Sequence, residues 1–129
     1  MAQVKIYGLH DHINRHRSDI SDAIHASAMM AFELPADKRF HRFCGLEAAD
    51  FIYPGDRSRQ YTIIEVSMFE GRSVEAKKSF LRLVFAELSS RCGIATQDVE
   101  ITISETPRHN WGIRGVPADE LALSYTVDV

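Results

Sequence analysis

Residues 61–104 decide the fold, and they read YTIIEVSMFEGRSVEAKKSFLRLVFAELSSRCGIATQDVEITIS. Residues 61–68 are rich in β-forming side chains, and residues 99–104 alternate apolar and polar side chains, so both segments predict strands. Between them a helix is expected to begin after Ser73, a good N-cap residue, and to end at Gly93, which suits the left-handed position after a helix. Its predicted apolar face consists of Phe80, Leu81, Val84, Phe85 and Leu88. The stretch therefore predicts a β-α-β unit.

Residues 2–46 predict the same order of elements. Ala2, Val4 and Ile6 alternate on one face of a short strand. A polar stretch over residues 10–17 is interpreted as a connecting loop before a helix from about Ser18 to Phe32, and residues 40–46 predict the next strand. The chain is thus interpreted as two copies of one supersecondary unit.

The segment between the two units, residues 48–59, contains Pro54-Gly55-Asp56, a strong turn signal. We interpret it as a linker inside a single domain of 129 residues, with halves at about 1–60 and 61–129. The predicted fold class is α+β, a duplicated β-α-β in a ferredoxin-like arrangement. Because β-α-β connections are right-handed, both helices are expected on one face of a four-stranded sheet.

The second face of this sheet is expected to carry apolar side chains that another copy of the chain would have to cover, so the pattern predicts an oligomer. The C-terminal stretch, residues 107–129, shows no helical pattern and contains Trp111, Gly112 and Gly115. It predicts a hairpin or an arm that reaches a neighbouring subunit.

Composition narrows the function classes. The 15 Lys and Arg against 18 Asp and Glu give a formal charge of −3, which disfavours nucleic-acid binding. No apolar run approaches the roughly 20 residues of a membrane span, and no signal-peptide pattern is present, so a cytoplasmic protein is expected. Cys44 and Cys92 are interpreted as packing residues of a reducing compartment.

Several short motifs, in this order, resemble the tautomerase superfamily, which includes 4-oxalocrotonate tautomerase. The resemblance is strongest to fused members similar to malonate semialdehyde decarboxylase, and it covers nearly the whole chain. The motifs are Phe32-Glu33-Leu34-Pro35, Asp56-Arg57-Ser58, Gly71-Arg72-Ser73, Cys92-Gly93-Ile94, residues 98–103 and residues 109–115.

The resemblance implies a homotrimer with pockets near the N-terminal ends of the first strands. It also implies proton transfer on small oxo acids, or their decarboxylation or hydration, without cofactor or metal. In the superfamily an amino-terminal proline usually acts as the base, but residue 2 here is alanine. Removal of Met1 would expose the α-amine of Ala2, whose reference pKa is about 7.7 to 8.0, and this amine can act as a base or form an imine.

The resemblance assigns Arg72 to binding the substrate carboxylate; the alternative is a solvated arginine at a helix entry. Decarboxylase-like members carry a second arginine where this chain has Glu70, and an acidic residue where it has Lys38, although Asp37 is adjacent. We therefore expect Lys38 to take part in a changed substrate pocket.

The closing motif supplies the remaining candidates. Trp111 and Ile113 fall where the family places apolar pocket residues, with packing in a subunit interface as the alternative. His109 is a candidate acid or base. Arg114 is expected to add anion-binding charge, as are Arg57 and Arg59, each with surface solvation as the alternative.

The remaining histidines suggest less. His10, His12 and His16 together look like zinc ligands, but a loop before a helix is also where polar residues collect, and no metal site is predicted. His25 and His41 are interpreted as satisfied core or interface residues. Two functions follow: a cofactor-independent tautomerase-like isomerase or lyase acting on small oxo acids, or an inactive trimer that binds small carboxylates or has a structural role.

Overall fold

The computed structural model describes residues 2–121 and 127–129. Its main elements follow one another as β1 (Ala2–Leu9), α1 (His10–Phe32), β2 (His41–Leu46), β3 (Thr62–Phe69), α2 (Val74–Cys92) and β4 (Val99–Thr106). A short hairpin of β5 (Gly112–Ile113) and β6 (Val116–Pro117) follows. The four long strands form one sheet in the order β2-β1-β3-β4. This confirms the predicted duplicated β-α-β fold.

The two halves repeat with the same register. Val4 pairs with His41 in the parallel pair β1–β2, and Ile64 pairs with Ile101 in the parallel pair β3–β4, so each pairing recurs after 60 residues. The helix ends repeat as well, because Glu33 and Gly93 both adopt the left-handed conformation that closes a helix. The halves meet at the antiparallel pair β1–β3.

Both helices and one face of the sheet enclose the main core. Alternate strand residues, among them Val4, Ile6, Ile64 and Val66, are buried beneath Ile20 and Ile24 of α1 and Val84 of α2. The rings of Phe32 and Phe80 stack between the helices with centroids 4.9 Å apart. The predicted apolar faces of both helices are confirmed. Burial of these side chains is the main favourable contribution that holds the helices on the sheet.

Helix α1 begins eight residues earlier than the polar stretch suggested, at His10 rather than Ser18. The interpretation of residues 10–17 as a loop was wrong. Ile13, only 1% exposed, extends the stripe of Ile20 and Ile24 backwards at i, i+7 and i+11, so the segment buries one face while its polar side chains stay in solvent.

The expectation of an apolar second sheet face was also wrong. Strand alternation puts Gln3, Lys5 and Tyr7 of β1 on that face, beside Glu65 and Ser67 of β3. Lys5 Nζ lies 4.0 Å from a carboxylate oxygen of Glu65, so the face is largely polar. The strand pattern therefore gives no argument for an oligomer by itself.

The predicted C-terminal hairpin is present. Its two-residue turn is Arg114-Gly115, with φ of 52° and 87°, the positive values that tight hairpins of the mirror-image turn types require. The end of the chain returns to the second half, where the backbone N–H of Ser73 donates to the carbonyl of Val129 at 2.8 Å. The part of the predicted arm that covers residues 122–126 lies outside the described residues.

Candidate functional site

A cleft of about 330 Å³ opens beside the beginning of β1. Its walls come from three separate parts of the chain: the first strand, the segment before β2, and the β5–β6 hairpin. The lining residues are Gln3, Lys38, Phe40, Trp111, Gly112, Ile113 and Arg114. Four of the residues predicted for a substrate pocket, Lys38, Trp111, Ile113 and Arg114, therefore lie together.

The apolar wall of the cleft is fixed from behind. Trp111 and Ile113 pack against a small second core formed by Phe69, Ala118 and Val127. The backbone N–H of Ala118 also donates to the carbonyl of Trp111 at 2.7 Å. Trp111 therefore packs within its own subunit as well as lining the cleft, and the alternative of a subunit-interface residue stays a prediction.

Among the described residues, two cations and no carboxylate line this cleft. Arg114 stands at the tip of the hairpin turn, and Lys38 follows a turn in which its own N–H donates to the carbonyl of Pro35 at 3.1 Å. Asp37 is exposed and is not among the lining residues. A lysine and an arginine facing one space with apolar walls suit a small anion that carries a carbon skeleton.

Ala2 lies next to this cleft, in a narrow hollow that holds about 10 Å³, close to the room of one water molecule. The hollow shares Lys38 and Phe40 with the cleft, and Phe32 forms part of its apolar wall. The N–H of Val4 donates to the carbonyl of Phe40 at 2.9 Å, so a residue that lines both spaces is hydrogen-bonded to β1. The start of β1 thus lies beside the cleft.

Arg72 is buried, with 5% of its surface exposed, so the alternative of a solvated helix-entry arginine was wrong. One guanidinium nitrogen donates to the carbonyl of Phe69 at 3.5 Å, and the guanidinium carbon lies 5.4 Å from the centre of the Phe32 ring. Arg72 is not among the residues that line the cleft. Glu70, two residues before it in sequence, is exposed.

His109 is exposed in a short 3-10 turn, Arg108–Asn110, and the structure does not bring it to the cleft wall. Arg57 is not simply a solvated arginine, because it contacts Asp56 at 2.7 Å and Glu100 at 3.8 Å. The positive charge of Arg57 is therefore already paired with carboxylates. Arg59 lies at the opposite end of β1, away from Ala2.

Sequence reasoning missed Gln3 and Phe40 as cleft residues, and their only signal is their position at the start of two neighbouring strands. His25 and His41 line the hollow beside Ala2. His25 Nε2 donates to the carbonyl of Ala36 at 3.0 Å, and His41 Nδ1 is hydrogen-bonded to the Ser21 hydroxyl at 2.8 Å. Burial lowers the pKa of His41 to about 4, so this imidazole is neutral at pH 7.

The histidines at the start of α1 do not converge on one point. His10 is hydrogen-bonded to Asn14, whereas His12 is hydrogen-bonded to Thr62 on β3. Over residues 2–121 and 127–129, no three His, Cys, Asp or Glu side chains are grouped as metal ligands. Both cysteines are free thiols, and burial raises the pKa of Cys92 to about 11. Within those same ranges no helix is long and apolar enough to cross a membrane.

Comparison with known proteins identifies the class to which this site belongs. A family model described as "Tautomerase enzyme" matches residues 38–114, more than half of the chain. The chain belongs to this tautomerase family. The matched range includes Lys38 and ends at Arg114, so it spans most of the cleft wall.

Two relatives illustrate the relationship. A 2-hydroxymuconate tautomerase of Comamonas testosteroni is 40% identical over 57 residues, which are 44% of this chain and 90% of that protein. A probable tautomerase of Bacillus subtilis is 24% identical over 110 residues, which are 78% of this chain and 87% of that protein. The half-length match agrees with the internal repeat.

Solved structures show the same fold. The malonate semialdehyde decarboxylase FG41, inhibited by 3-bromopropiolate, is 28% identical with a TM-score of 0.81, covering 94% of this chain and 98% of that chain. A native fused 4-OT is 18% identical with a TM-score of 0.79, covering 92% of this chain and 98% of that chain. These similarities place more than nine tenths of the chain in one architecture.

Proposed function

We propose that this tautomerase-family protein binds a small oxo acid in the cleft beside β1 and moves a proton on it without a cofactor. The observation that carries the proposal is the meeting of Lys38 and Arg114 with Trp111 and Ile113 in one space, although more than 70 residues separate Lys38 from the others. The two cations hold the carboxylate, and the apolar wall holds the carbon skeleton.

The proton is handled at the start of β1 in this proposal. Once Met1 is removed, the α-amine of Ala2 stands in a hollow that shares two residues with the cleft. A neutral amine there accepts the proton of an enol or of the carbon next to a carbonyl, and returns it to the other position. His109 is not part of this proposal because it is exposed and off the cleft wall.

Arg72 keeps a role next to the hollow rather than in the cleft. Its guanidinium lies against the ring of Phe32, and that ring also lines the hollow around Ala2. In this proposal the buried positive charge of Arg72, beside the Phe32 ring, disfavours protonation of the amine and so keeps it available as a base.

The second candidate is a carboxylate-binding protein without catalysis. The size of the Ala2 hollow favours it, because about 10 Å³ leaves no room for a reacting group until the walls move. The cations of the cleft remain competent to bind an acid in either case, so binding and turnover must be measured separately.

Conversion between the enol and keto forms of 2-hydroxymuconate or phenylpyruvate tests the proposal. Wild type is compared with Lys38→Gln, Arg114→Gln and Arg72→Ala, and Lys78→Gln and Arg82→Gln are matched controls on exposed positions of α2. We expect kcat/KM to fall roughly 10- to 100-fold in the two cleft variants and to stay unchanged in the controls.

Two outcomes separate the candidates. Turnover that is absent in wild type but present in Ala2→Pro contradicts the enzyme and leaves the binding protein. Equal binding of phenylpyruvate by wild type and a Lys38→Gln/Arg114→Gln double variant contradicts the cleft as the site. Mass spectrometry of each preparation establishes whether Met1 has been removed.

We further propose that the protein is a cytoplasmic homotrimer. Support comes from solved neighbours of the same fold that are described as trimers, such as a fused 4-OT asymmetric trimer at 16% identity and a TM-score of 0.80. Sedimentation equilibrium at micromolar concentration tests the assembly, and a monomer or dimer mass contradicts it.

A further inference from the structure

A second cleft of about 250 Å³ lies at the opposite end of β1, away from Ala2. It is lined by Leu9, Asp11, His12, Arg15, His16, Arg59 and Gln60. Within the described parts of the chain, neither Arg15 nor Arg59 forms an ion pair with a carboxylate. Asp11 is the one carboxylate among the described residues of this wall, so the cleft carries excess positive charge. No part of the proposed reaction uses this cleft.

His12 is held in one orientation and one tautomer at the base of this cleft. The side chain is 7% exposed, and its Nε2 lies 2.8 Å from the hydroxyl of Thr62. The single hydroxyl hydrogen of Thr62 is already donated to the carbonyl of Gln60 at 2.8 Å. The Thr62 oxygen must therefore accept from His12, so Nε2 carries the hydrogen and Nδ1 carries a lone pair.

The lone pair faces away from the strand. A Cβ built on Gly8 would lie 3.1 Å from Cδ2 of His12, so that edge of the ring rests on β1. Nδ1 is on the other edge, and it has no hydrogen-bond partner within residues 2–121 and 127–129. Burial lowers the pKa of His12 to about 4, with a further contribution from nearby His16, so Nδ1 is an acceptor at pH 7.

The internal repeat relates this cleft to the start of β1. A shift of 60 residues, the shift that preserves strand register, places Thr62 where Ala2 stands and His12 where Arg72 stands. The second cleft therefore contains, in His12, a neutral acceptor at the position that the other half gives to the cation Arg72, and this histidine is hydrogen-bonded to Thr62, the counterpart of Ala2.

We propose that this cleft binds a small carboxylate with an adjacent hydroxyl group, a 2-hydroxy acid. Arg15 and Arg59 hold the carboxylate, and the hydroxyl donates to Nδ1 of His12. Two arginines alone would accept any small anion, but a fixed acceptor beside them distinguishes a hydroxy acid from a simple acid. The inference does not rest on the proposed function, because it uses residues at the other end of the strand.

Binding of glycolate, the smallest 2-hydroxy acid, tests the proposal against acetate and inorganic phosphate, each titrated into 15N-labelled full-length protein. We expect shifts at Leu9, His16 and Gln60 with glycolate at an at least fivefold lower dissociation constant than with acetate. Arg15→Gln and Arg59→Gln should each weaken glycolate binding at this cleft at least tenfold, whereas Arg82→Gln, at an exposed position of α2, should not.

The possible results test the role of His12 and the position of the site separately. Equal affinity for glycolate and acetate, or preference for phosphate, overturns the role of His12. Glycolate shifts that survive Arg15→Gln and Arg59→Gln, or move only residues around Arg114, overturn the site itself. A long-range 15N spectrum of the imidazole gives a direct check that needs no variant: a hydrogen on Nδ1 in the free protein contradicts the proposal.

Discussion

The indole of Trp111 lies edge-on against the ring of Phe69, with centroids 4.9 Å apart and an angle of 72° between the ring planes. This contact joins the hairpin to the last residue of β3 and so sets the position of the cleft's apolar wall. Edge-to-face pairs add stability beyond the area they bury.

Trp111→Ala is expected to lower the free energy of unfolding by about 2 kcal/mol, less than for a fully buried tryptophan because Trp111 is half-buried. Trp111→Phe should recover most of the loss. Urea unfolding followed by circular dichroism measures both losses. Tryptophan fluorescence cannot be used, because Trp111 is the only tryptophan and both variants remove it. A Phe variant as unstable as the Ala variant would contradict the role of the ring contact.

Gly71 has little room for a side chain, because the side chains of Asp128 and Val127 lie close to it. Its φ is 128°, and an added Cβ would lie 2.6 Å from a carboxylate oxygen of Asp128. Gly71→Ala should cost about 2 kcal/mol or more. Gly93→Ala is the matched control, because Gly93 also has positive φ but open space around it, and it should cost about 1 kcal/mol. Equal losses of unfolding free energy in the two variants, measured by thermal or urea unfolding, would contradict a destabilising contact with Asp128.

Arg114 combines a turn requirement with a charge, and one substitution separates them. Arg114→Asn keeps a residue that tolerates positive φ, so stability should stay within about 0.5 kcal/mol of wild type. Binding of the oxo acid should weaken roughly tenfold because the cation is lost. Thermal unfolding and a phenylpyruvate titration, run on the same samples, check both parts. A destabilised variant, or one with unchanged binding, contradicts the assignment.

His12 makes stability depend on pH. Its pKa is near 4 when folded and near 6.5 in the unfolded chain, so the unfolded state binds more protons between these values. The stability that the neutral His12 contributes is therefore complete above pH 6.5 and is lost as pH falls toward 4. The loss amounts to about 2 kcal/mol at pH 5. His12→Gln should remove this part of the pH dependence in urea unfolding at pH 7 and pH 5.

His109→Gln is the control for the pH experiment, because His109 is exposed. It should lose as much stability as wild type between pH 7 and pH 5. A His12→Gln variant with the full wild-type loss would show that another buried group, with His41 the first candidate, carries the effect.

The sequence predicted most of the fold because its two periodicities are clear. Alternation marked Val99, Ile101 and Ile103, helical spacing marked Phe80 and Val84, and these side chains do enter the core. The start of α1 was missed because one isoleucine, Ile13, is a weak stripe among seven polar neighbours. The prediction for the second sheet face was wrong because the alternating strands place their polar residues, such as Lys5 and Glu65, on that face.

The candidate site was less predictable. No local pattern brings Lys38 to Arg114, and only the resemblance to a family placed them in one pocket, where their role remains a prediction. The burial of Arg72 and the bond from His12 to Thr62 depend on contacts with distant parts of the chain. Such contacts leave no trace in a stretch of sequence read by itself.

The repeat of strand register after 60 residues has an evolutionary consequence. In an assembly of two identical half-length chains, any mutation would appear at both ends of the central strand pair at once. Here each end has its own codons, so selection can alter one while holding the other constant. The arginine at position 72 and the histidine at position 12 are the visible result of that independence.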